Sequence, residues 1–131
     1  SGATVTDVLE VQMPALRTIE HRIEVVSCTI GSNDLSRSFS LRGLDRRFAR
    51  LVDELPEQAV IATLPSVGSL AAKRVNRRLR AIVPDAGLRL AEVDRHLRSW
   101  RGRSAGDRFH PNDRGYEAWT AAFAAELSPP T

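Results

Sequence analysis

The sequence predicts an α/β fold, in which helices cover one parallel sheet. Three short apolar runs rich in β-branched residues have the character of buried strands: residues 23–30, 59–64 and 88–93. Stretches with helical spacing separate these runs, and strands that alternate with helices pair in parallel through right-handed crossovers. The 131 residues suit one domain, with a tail at 128–131, and no repeat or linker divides them.

The first helix is predicted to run to about Arg17, with Thr4 or Thr6 as its cap. Acidic residues near its start suit the positive end of the helix dipole, and apolar residues form a stripe along it: Asp7 and Glu10 are the acids, and Val5, Val8, Leu9, Met13 and Leu16 the stripe. Pro14 conflicts with an undisturbed helix, because proline has no N–H group. It predicts a kink or an early end.

Three further helices follow along the chain. Apolar residues recur at helical spacing over residues 41–55, and Pro56 closes that helix. Ser69 can cap the next helix, which is predicted to stop before Pro84. The last helix covers about 114–127, after a polar loop.

The chain is basic, with a net charge of +3 and a sequence pI near 10.0. A basic chain can indicate nucleic-acid binding, but the arginines are interleaved with acids, which argues against it. The densest cluster, at 74–80, is interpreted as a solvated helix face. Lys73 is the only lysine, and this arginine bias with abundant alanine is typical of a GC-rich, for example actinobacterial, genome.

Cys28 is the only cysteine, so no intrachain disulfide forms. It lies in the first apolar run and is expected to be a small buried hydrophobe. A single cysteine fits a reducing compartment, and we expect a cytoplasmic protein. No apolar run approaches the ~20 residues that span a membrane, and the first residues do not resemble a signal peptide.

The turn Gly31-Ser32-Asn33-Asp34 follows the first predicted strand. All four residue types favour turns, so a purely structural interpretation is available. In a parallel sheet, however, functional loops gather beyond the carboxyl ends of the strands. The alternative is that the Asn33 amide is a hydrogen-bond donor to an oxyanion.

Asp107 and His110 lie three residues apart ahead of the last helix, with Pro111 stiffening the turn. A carboxylate so placed can bind one imidazole nitrogen and leave the other free to act as a base. A surface turn or a metal-binding pair would show the same spacing. His21 and His96 have no comparable setting and are expected at the surface, and no group has a convincing zinc spacing.

Three segments together resemble the SGNH (GDSL-type) serine hydrolases, a family of esterases and lipases. They are Ser1-Gly2-Ala3-Thr4, Gly31-Ser32-Asn33-Asp34 and Asp107 to Asn112, in the family's order and spacing, with Gly115-Tyr116 following. The resemblance covers essentially the whole chain, and its last segment is the most specific.

The resemblance implies a flavodoxin-like three-layer α/β fold with strand order 2-1-3-4-5, and hydrolysis of small-molecule or lipid acyl esters. It implies that His110 is the general base and Asp107 its orienting partner. It also implies that the backbone N–H of Gly2 and the side chain of Asn33 stabilise the oxyanion. No metal or organic cofactor is required.

The chain departs from the family at the nucleophile. No Gly-Asp-Ser occurs in it, since Gly106-Asp107 is followed by Arg108. The resemblance places that serine after a first strand, and both the first and second strands of the family fold are missing. We therefore expect the C-terminal part of one SGNH domain, inactive alone, with an N-terminal segment or second chain that carries the serine. Three serines do not hold the family's nucleophile position: Ser1, Ser27 and Ser32.

Two other functions stay open. A non-catalytic α/β binding or assembly module would use the exposed edge of residues 23–30 or the arginine face, whereas nucleic-acid binding rests on charge alone. The sequence does not select the acyl or alcohol part of a substrate. The loops at 35–41 and 95–106 are predicted to line the pocket.

Overall fold

A three-stranded parallel sheet forms the centre of the protein, which a computed structural model describes over residues 2–37 and 40–128. The strands are β1 (Val26–Cys28), β2 (Ala59–Ala62) and β3 (Arg89–Ala91), in the spatial order β1-β2-β3. Val26 pairs with Ala59, and Ile61 with Leu90. The prediction of three adjacent parallel strands is confirmed.

Each strand is shorter than its predicted run, because the apolar pattern extends beyond the paired residues. The N–H of Leu64, for example, leaves the ladder and donates to Asn76 Oδ1 at 2.7 Å. Val93 begins a short helix and does not end a strand. Apolar side chains and extended backbone therefore mark burial here, but not the limits of pairing.

Helices separate the strands, in the order that the sequence predicts. They are α1 (Val5–Asp7), a π-helical segment (Val8–Gln12), α2 (Met13–Arg17), a 3-10 turn (Glu20–Arg22), α3 (Ser32–Ser36), α4 (Leu41–Glu54), α5 (Leu70–Asp85), α6 (Val93–His96) and α7 (Asp113–Leu127). The short helices α3 and α6 were not predicted, and each lies directly beyond a strand of the sheet.

The N-terminal helical stretch runs without a break through Pro14 to Arg17. Thr4 is its cap: the Asp7 N–H donates to Thr4 Oγ1 at 3.4 Å, and the Thr4 N–H donates to Asp7 Oδ2 at 2.7 Å. The early end that Pro14 predicted is wrong. The π-helical turn comes directly before it, and a proline near the start of α2 removes no N–H that this turn needs.

Helix α5 passes through Pro84 and ends at Asp85, so the predicted stop before Pro84 is wrong. The proline lies in the last turn, where only one helical hydrogen bond is lost. Gly87 then adopts a left-handed conformation, with φ of +74°, and the Leu88 N–H closes the helix on the Val83 carbonyl at 3.1 Å. This glycine, more than the proline, ends the helix. The predicted cap Ser69 is confirmed, since it accepts from the Ala72 N–H at 3.1 Å.

The sheet is covered on both faces, which gives three layers. Ala59 and Ile61 belong to a core shared with the N-terminal helices, α4 and α5. The alternate residues Val60 and Ala62 belong to a second core, which includes Ala122 of α7. Because successive side chains of a strand point to opposite faces, a strand buried on both sides reads as a continuous apolar run. The predicted α/β class is confirmed.

Cys28, His21 and His96 are placed as the sequence predicts, and the arginine cluster only in part. Cys28 is buried, and burial raises the pKa of its thiol to about 12, so it is no reactive thiolate. His21 and His96 are exposed. The arginine cluster at 74–80 is only partly a solvated face, because Arg80 binds Glu92 Oε2 at 2.7 Å and turns inward.

Candidate active site

The loops beyond the carboxyl ends of the strands enclose a cavity of about 530 Å³. Asn33, from the turn after β1, and His110, from the loop before α7, both line it. The two positions are 77 residues apart in the chain (110 minus 33) and meet because parallel strands end at one edge of the sheet. The prediction that they share one edge is confirmed.

The side chain of His110, which lines the cavity, is hydrogen-bonded to Asp107. His110 Nδ1 lies 2.6 Å from Asp107 Oδ2, so the predicted hydrogen bond between them is formed. Both side chains are about half exposed, at 53% and 50%. The hydrogen bond from His110, followed by those from the N–H groups of His110 and Phe109, lowers the pKa of Asp107 below its ordinary value of 3.8. Asp107 is therefore a carboxylate at neutral pH, suited to hold Nδ1–H and leave Nε2 free.

The loop that carries this pair is fixed by its own hydrogen bonds. Asp107 Oδ1 accepts from the N–H groups of Phe109 and His110, both at 3.0 Å. The Ala105 N–H donates to the His110 carbonyl at 2.8 Å. Asn112 then caps α7, accepting from the Gly115 N–H at 3.0 Å. The imidazole is thus oriented by backbone as well as by Asp107.

Gly115 belongs to the resemblance and has a steric role. A Cβ atom at this position would meet the carbonyl oxygen of Arg103 and, at 2.6 Å, the Cβ of Pro111. The first turn of α7 therefore approaches the His110 loop more closely than any side chain allows. Tyr116, the next residue, lines the cavity.

Asn33 lies in α3, and its amide is already oriented. Asn33 Nδ2 donates to the Ala3 carbonyl at 2.9 Å. A primary amide has two N–H donors, so one is left for a ligand. The contact joins the turn after β1 to the N-terminal segment, 30 residues away in sequence.

Asp34 was interpreted only as a turn residue, but it is the buried anchor of this segment. Its side chain is 0% exposed, and its carboxylate accepts from the Val5 N–H at 3.0 Å. Burial raises the pKa of Asp34, although the Val5 hydrogen bond and Arg47, at 3.7 Å, oppose that shift. No local pattern reveals this role, because the partner N–H is 29 residues away in the chain.

Gly2 is not among the described residues that line the cavity. It has a left-handed φ of +91°, and its carbonyl accepts from Arg37 at 3.2 Å. Its neighbour Ala3 is the residue that Asn33 binds. Ser1, the first residue of the same block, lies outside the described residues.

Aromatic side chains form much of the cavity wall: Trp100, Phe109, Tyr116 and Trp119. Leu35, Ser36 and Trp100 confirm that both predicted loops contribute, while Ser38 and Phe39 lie outside the described residues. The contribution of α7 was missed, although Tyr116 and Trp119 are spaced to share one helix face.

A second polar cluster lies just beyond the carboxyl ends of β2 and β3. Its side chains are those of Thr63, Asn76, Arg80 and Asp94. Asn76 is fully buried and binds both backbone groups of Leu64 at 2.7 Å. Asp94 accepts from Asn76, Thr63 and Arg80. Burial acts to raise the pKa of Asp94, but the hydrogen bonds from Arg80 and Thr63 outweigh it, so the pKa is lowered. The cluster fixes the backbone that enters the cavity wall at Pro65.

Within residues 2–37 and 40–128, no cluster of three or more His, Cys, Asp or Glu side chains is arranged to hold a metal ion. None of the helices described there is both long and apolar enough to cross a membrane.

The parallel α/β fold, with a paired aspartate and histidine at its carboxyl edge, defines an SGNH-type hydrolase architecture. Comparison by sequence family agrees: residues 1–118 match the GDSL-like lipase/acylhydrolase family, and the chain belongs to that family. The resemblance seen in the sequence is thereby confirmed. Among curated proteins, no sequence matches the chain.

Solved structures with the same fold include three hydrolases. A lipase/acylhydrolase from Enterococcus faecalis superposes with a TM-score of 0.77 at 17% identity, over 99% of this chain and 75% of that one. A family 3 carbohydrate esterase from Clostridium thermocellum gives 0.75 at 20% identity, over 96% and 65%. An acetylxylan esterase from Geobacillus stearothermophilus gives 0.75 at 19% identity, over 99% and 70%. At such identities the likeness establishes the fold alone.

Proposed function

We propose that this chain carries the base, the orienting carboxylate and the oxyanion donors of a serine esterase that acts on carboxylic acyl esters. The observation that carries this proposal is the hydrogen bond of 2.6 Å between Asp107 and His110, because the His110 ring lines the same cavity as Asn33. Membership of a lipase/acylhydrolase family supports an ester substrate. The relatives named as a carbohydrate esterase and an acetylxylan esterase support acyl groups on sugars as one option.

In the proposed mechanism, Asp107 holds the Nδ1–H of His110, so that Nε2 accepts the proton of a serine hydroxyl. The serine oxygen attacks the ester carbonyl and forms a tetrahedral intermediate. The free N–H of Asn33 and the backbone N–H of Gly2 stabilise its oxyanion. His110 returns the proton to the leaving alcohol, and water releases the acyl group by the same steps in reverse roles.

We further propose that the nucleophilic serine comes from another segment or chain that pairs with β1. Strand β1 pairs with β2 alone among the described strands, so its other edge offers unpaired backbone groups. Val25, at the start of that edge, is 41% exposed. A strand added here would cover the edge and end beside the cavity. Chains of the fold relatives are longer than this one, which covers 65–75% of those three.

Hydrolysis of 4-nitrophenyl acetate tests this function. The chain alone should show no turnover, and turnover should appear after a segment with Gly-Asp-Ser and its preceding strand is added. A fluorophosphonate label should then react with the added serine. Ser32 is the internal competitor, because it lines the same cavity. Turnover and labelling of Ser32 in the chain alone would show that the nucleophile is misplaced, and Ser32→Ala would confirm that.

A second candidate is a non-catalytic binding or assembly module that uses the same open edge. The backbone groups that β1 leaves unpaired among the described strands favour it. The two candidates separate in one measurement. If the added strand binds and covers the edge, but its serine neither reacts with the label nor supports turnover, the edge serves assembly alone.

A further inference from the structure

Arg108 is the one formally charged side chain, apart from the titratable His110, among the described residues that line the cavity. No carboxylate is among those lining residues. Arg108 is exposed, and within residues 2–37 and 40–128 it has no ion pair or side-chain hydrogen bond. A guanidinium with five unused donors in a mostly apolar recess is suited to a carboxylate, which it can bind through two parallel hydrogen bonds.

The backbone at Arg108 adds an independent observation. Its φ is +58°, and no other non-glycine residue in the described ranges has a positive φ. Glycine would adopt this conformation without strain, so the side chain stands here at a conformational cost. The Arg108 N–H donates to the Ala105 carbonyl at 3.0 Å, and Asp107 bonds the two following N–H groups. Backbone held in this way is typical of ligand clamps.

The nearest acid in sequence does not neutralise Arg108. Asp107 uses one oxygen on the His110 ring and the other on the N–H groups of Phe109 and His110. The cation is therefore left beside the base, on the same loop. In the proposed mechanism this loop serves the leaving alcohol, whereas Asn33 serves the acyl oxygen.

We propose that Arg108 binds a carboxylate on the alcohol part of the substrate, so that the site favours acyl esters of hydroxy acids. The assignment to the alcohol part rests on the proposed esterase function, but the anion site itself does not. A neutral ester lacks the partner for the guanidinium and should bind less tightly.

Binding to the chain itself provides the first test and needs no turnover. Trp100 and Trp119 are the chain's two tryptophans and both line the cavity, so their indole NMR signals report occupancy. 4-Hydroxybenzoate should bind about tenfold or more tighter than its methyl ester, the size of one charge-assisted pair. Arg108→Gly should abolish that preference without loss of stability, because glycine suits φ of +58°. Arg22→Ala, in the turn before β1, is the matched control and should keep it.

Equal affinity of the wild-type chain for the acid and the methyl ester would overturn the anion site. So would a preference that survives Arg108→Gly.

Turnover with the added serine segment tests which part of the substrate carries the charge. The ratio of kcat/KM for 4-acetoxybenzoate to that for its methyl ester should fall about tenfold in Arg108→Gly, and intrinsic reactivity cancels in this comparison. An Arg108-dependent preference for 4-nitrophenyl hemisuccinate instead would move the anion to the acyl part and overturn the assignment. If no ester is hydrolysed but Arg108-dependent binding is seen, the anion site stands and the esterase function fails.

Discussion

Asp34, in α3, and Asp107, in the loop before α7, belong to segments at the same edge of the sheet, but their surroundings are opposite. The Asp34 side chain is 0% exposed and accepts from the Val5 N–H, whereas Asp107 is 50% exposed and accepts from His110. Burial raises the pKa of Asp34, and hydrogen bonds led by that from His110 lower the pKa of Asp107. The first acid joins two segments of backbone, and the second holds the ring of His110, which lines the cavity. The buried contacts around Gly31 and Asp34 are called the frame below, and the mostly exposed segment 105–111 is called the reactive loop.

The largest expected effect is on the reactive loop. In the chain supplied with its serine segment, His110→Ala should lower kcat/KM for 4-nitrophenyl acetate by about 10²–10⁴-fold, the usual contribution of a general base. The unfolding temperature should change little, because the imidazole is 53% exposed. The surface variant His96→Ala is the control. Undiminished turnover in His110→Ala would remove this histidine from the mechanism.

The frame should respond to Gly31→Ala mainly in stability. Gly31 has φ of +113°, and an added Cβ would lie 2.7 Å from Cζ of the buried Phe48. Backbone strain and overpacking together should lower the free energy of unfolding by roughly 2–5 kcal/mol, measured by urea denaturation. Gly106→Ala is the matched control, because its Cβ would meet nothing within 4 Å. Equal losses in the two variants would contradict the steric account.

Asp34→Ala should cost about 1–3 kcal/mol of unfolding free energy, because it leaves the buried Val5 N–H without its acceptor. The exposed residue Asp53 supplies the control variant, Asp53→Ala. Hydrogen exchange at the Val5 amide should accelerate in the first variant only. A loss no larger than that of Asp53→Ala would show that Asp34 does not anchor the frame.

The smallest expected effect concerns how the free energy of unfolding depends on pH. The quantity compared is the free energy of unfolding of the wild type minus that of the Asp→Asn variant, and its slope against pH should have opposite signs at the two positions. Because its pKa is raised, Asp34 contributes to the free energy of unfolding in full below pH 3.8, and this contribution is lost as the pH rises above that value. Because its pKa is lowered, Asp107 contributes to the free energy of unfolding in full above pH 3.8, and this contribution is lost as the pH falls below that value. Urea denaturation at acid pH should show opposite slopes for Asp34→Asn and Asp107→Asn. Parallel slopes would mean that the two settings are alike.

The sequence predicted those structural features whose interacting residues are close together in the chain. The Asp107–His110 bond spans three positions, and the caps Thr4 and Ser69 act within one turn, so each could be derived from spacing. The three strands could be placed by their apolar runs, and parallel pairing then brought Asn33 and His110 to one edge.

Features that depend on distant partners could not be derived in this way. Asp34 binds Val5 across 29 residues and Arg80 binds Asp94 across 14, so the sequence indicated only a turn residue at Asp34 and a solvated face at Arg80. Helix α3 was hidden because Ser, Asn and Asp favour turns as strongly as helix starts. The strand limits were missed because apolar character reports burial and not pairing.

The π-helical turn at Val8–Gln12 determines how the residues before it, Ala3 and Val5, are oriented toward Asn33 and Asp34. Such a turn holds one residue more than an α-helical turn, so it sets the angle at which everything before it leaves the helix. Deleting a single residue there would restore regular α-helix and rotate Val5 and Ala3 by about 100° around the axis. The Ala3 carbonyl would leave Asn33, and the Val5 amide would leave Asp34. The extra residue of the π-helical turn therefore sets the orientation of the residues before it. The hydrogen bonds from Asn33 to Ala3 and from Val5 to Asp34 both depend on that orientation.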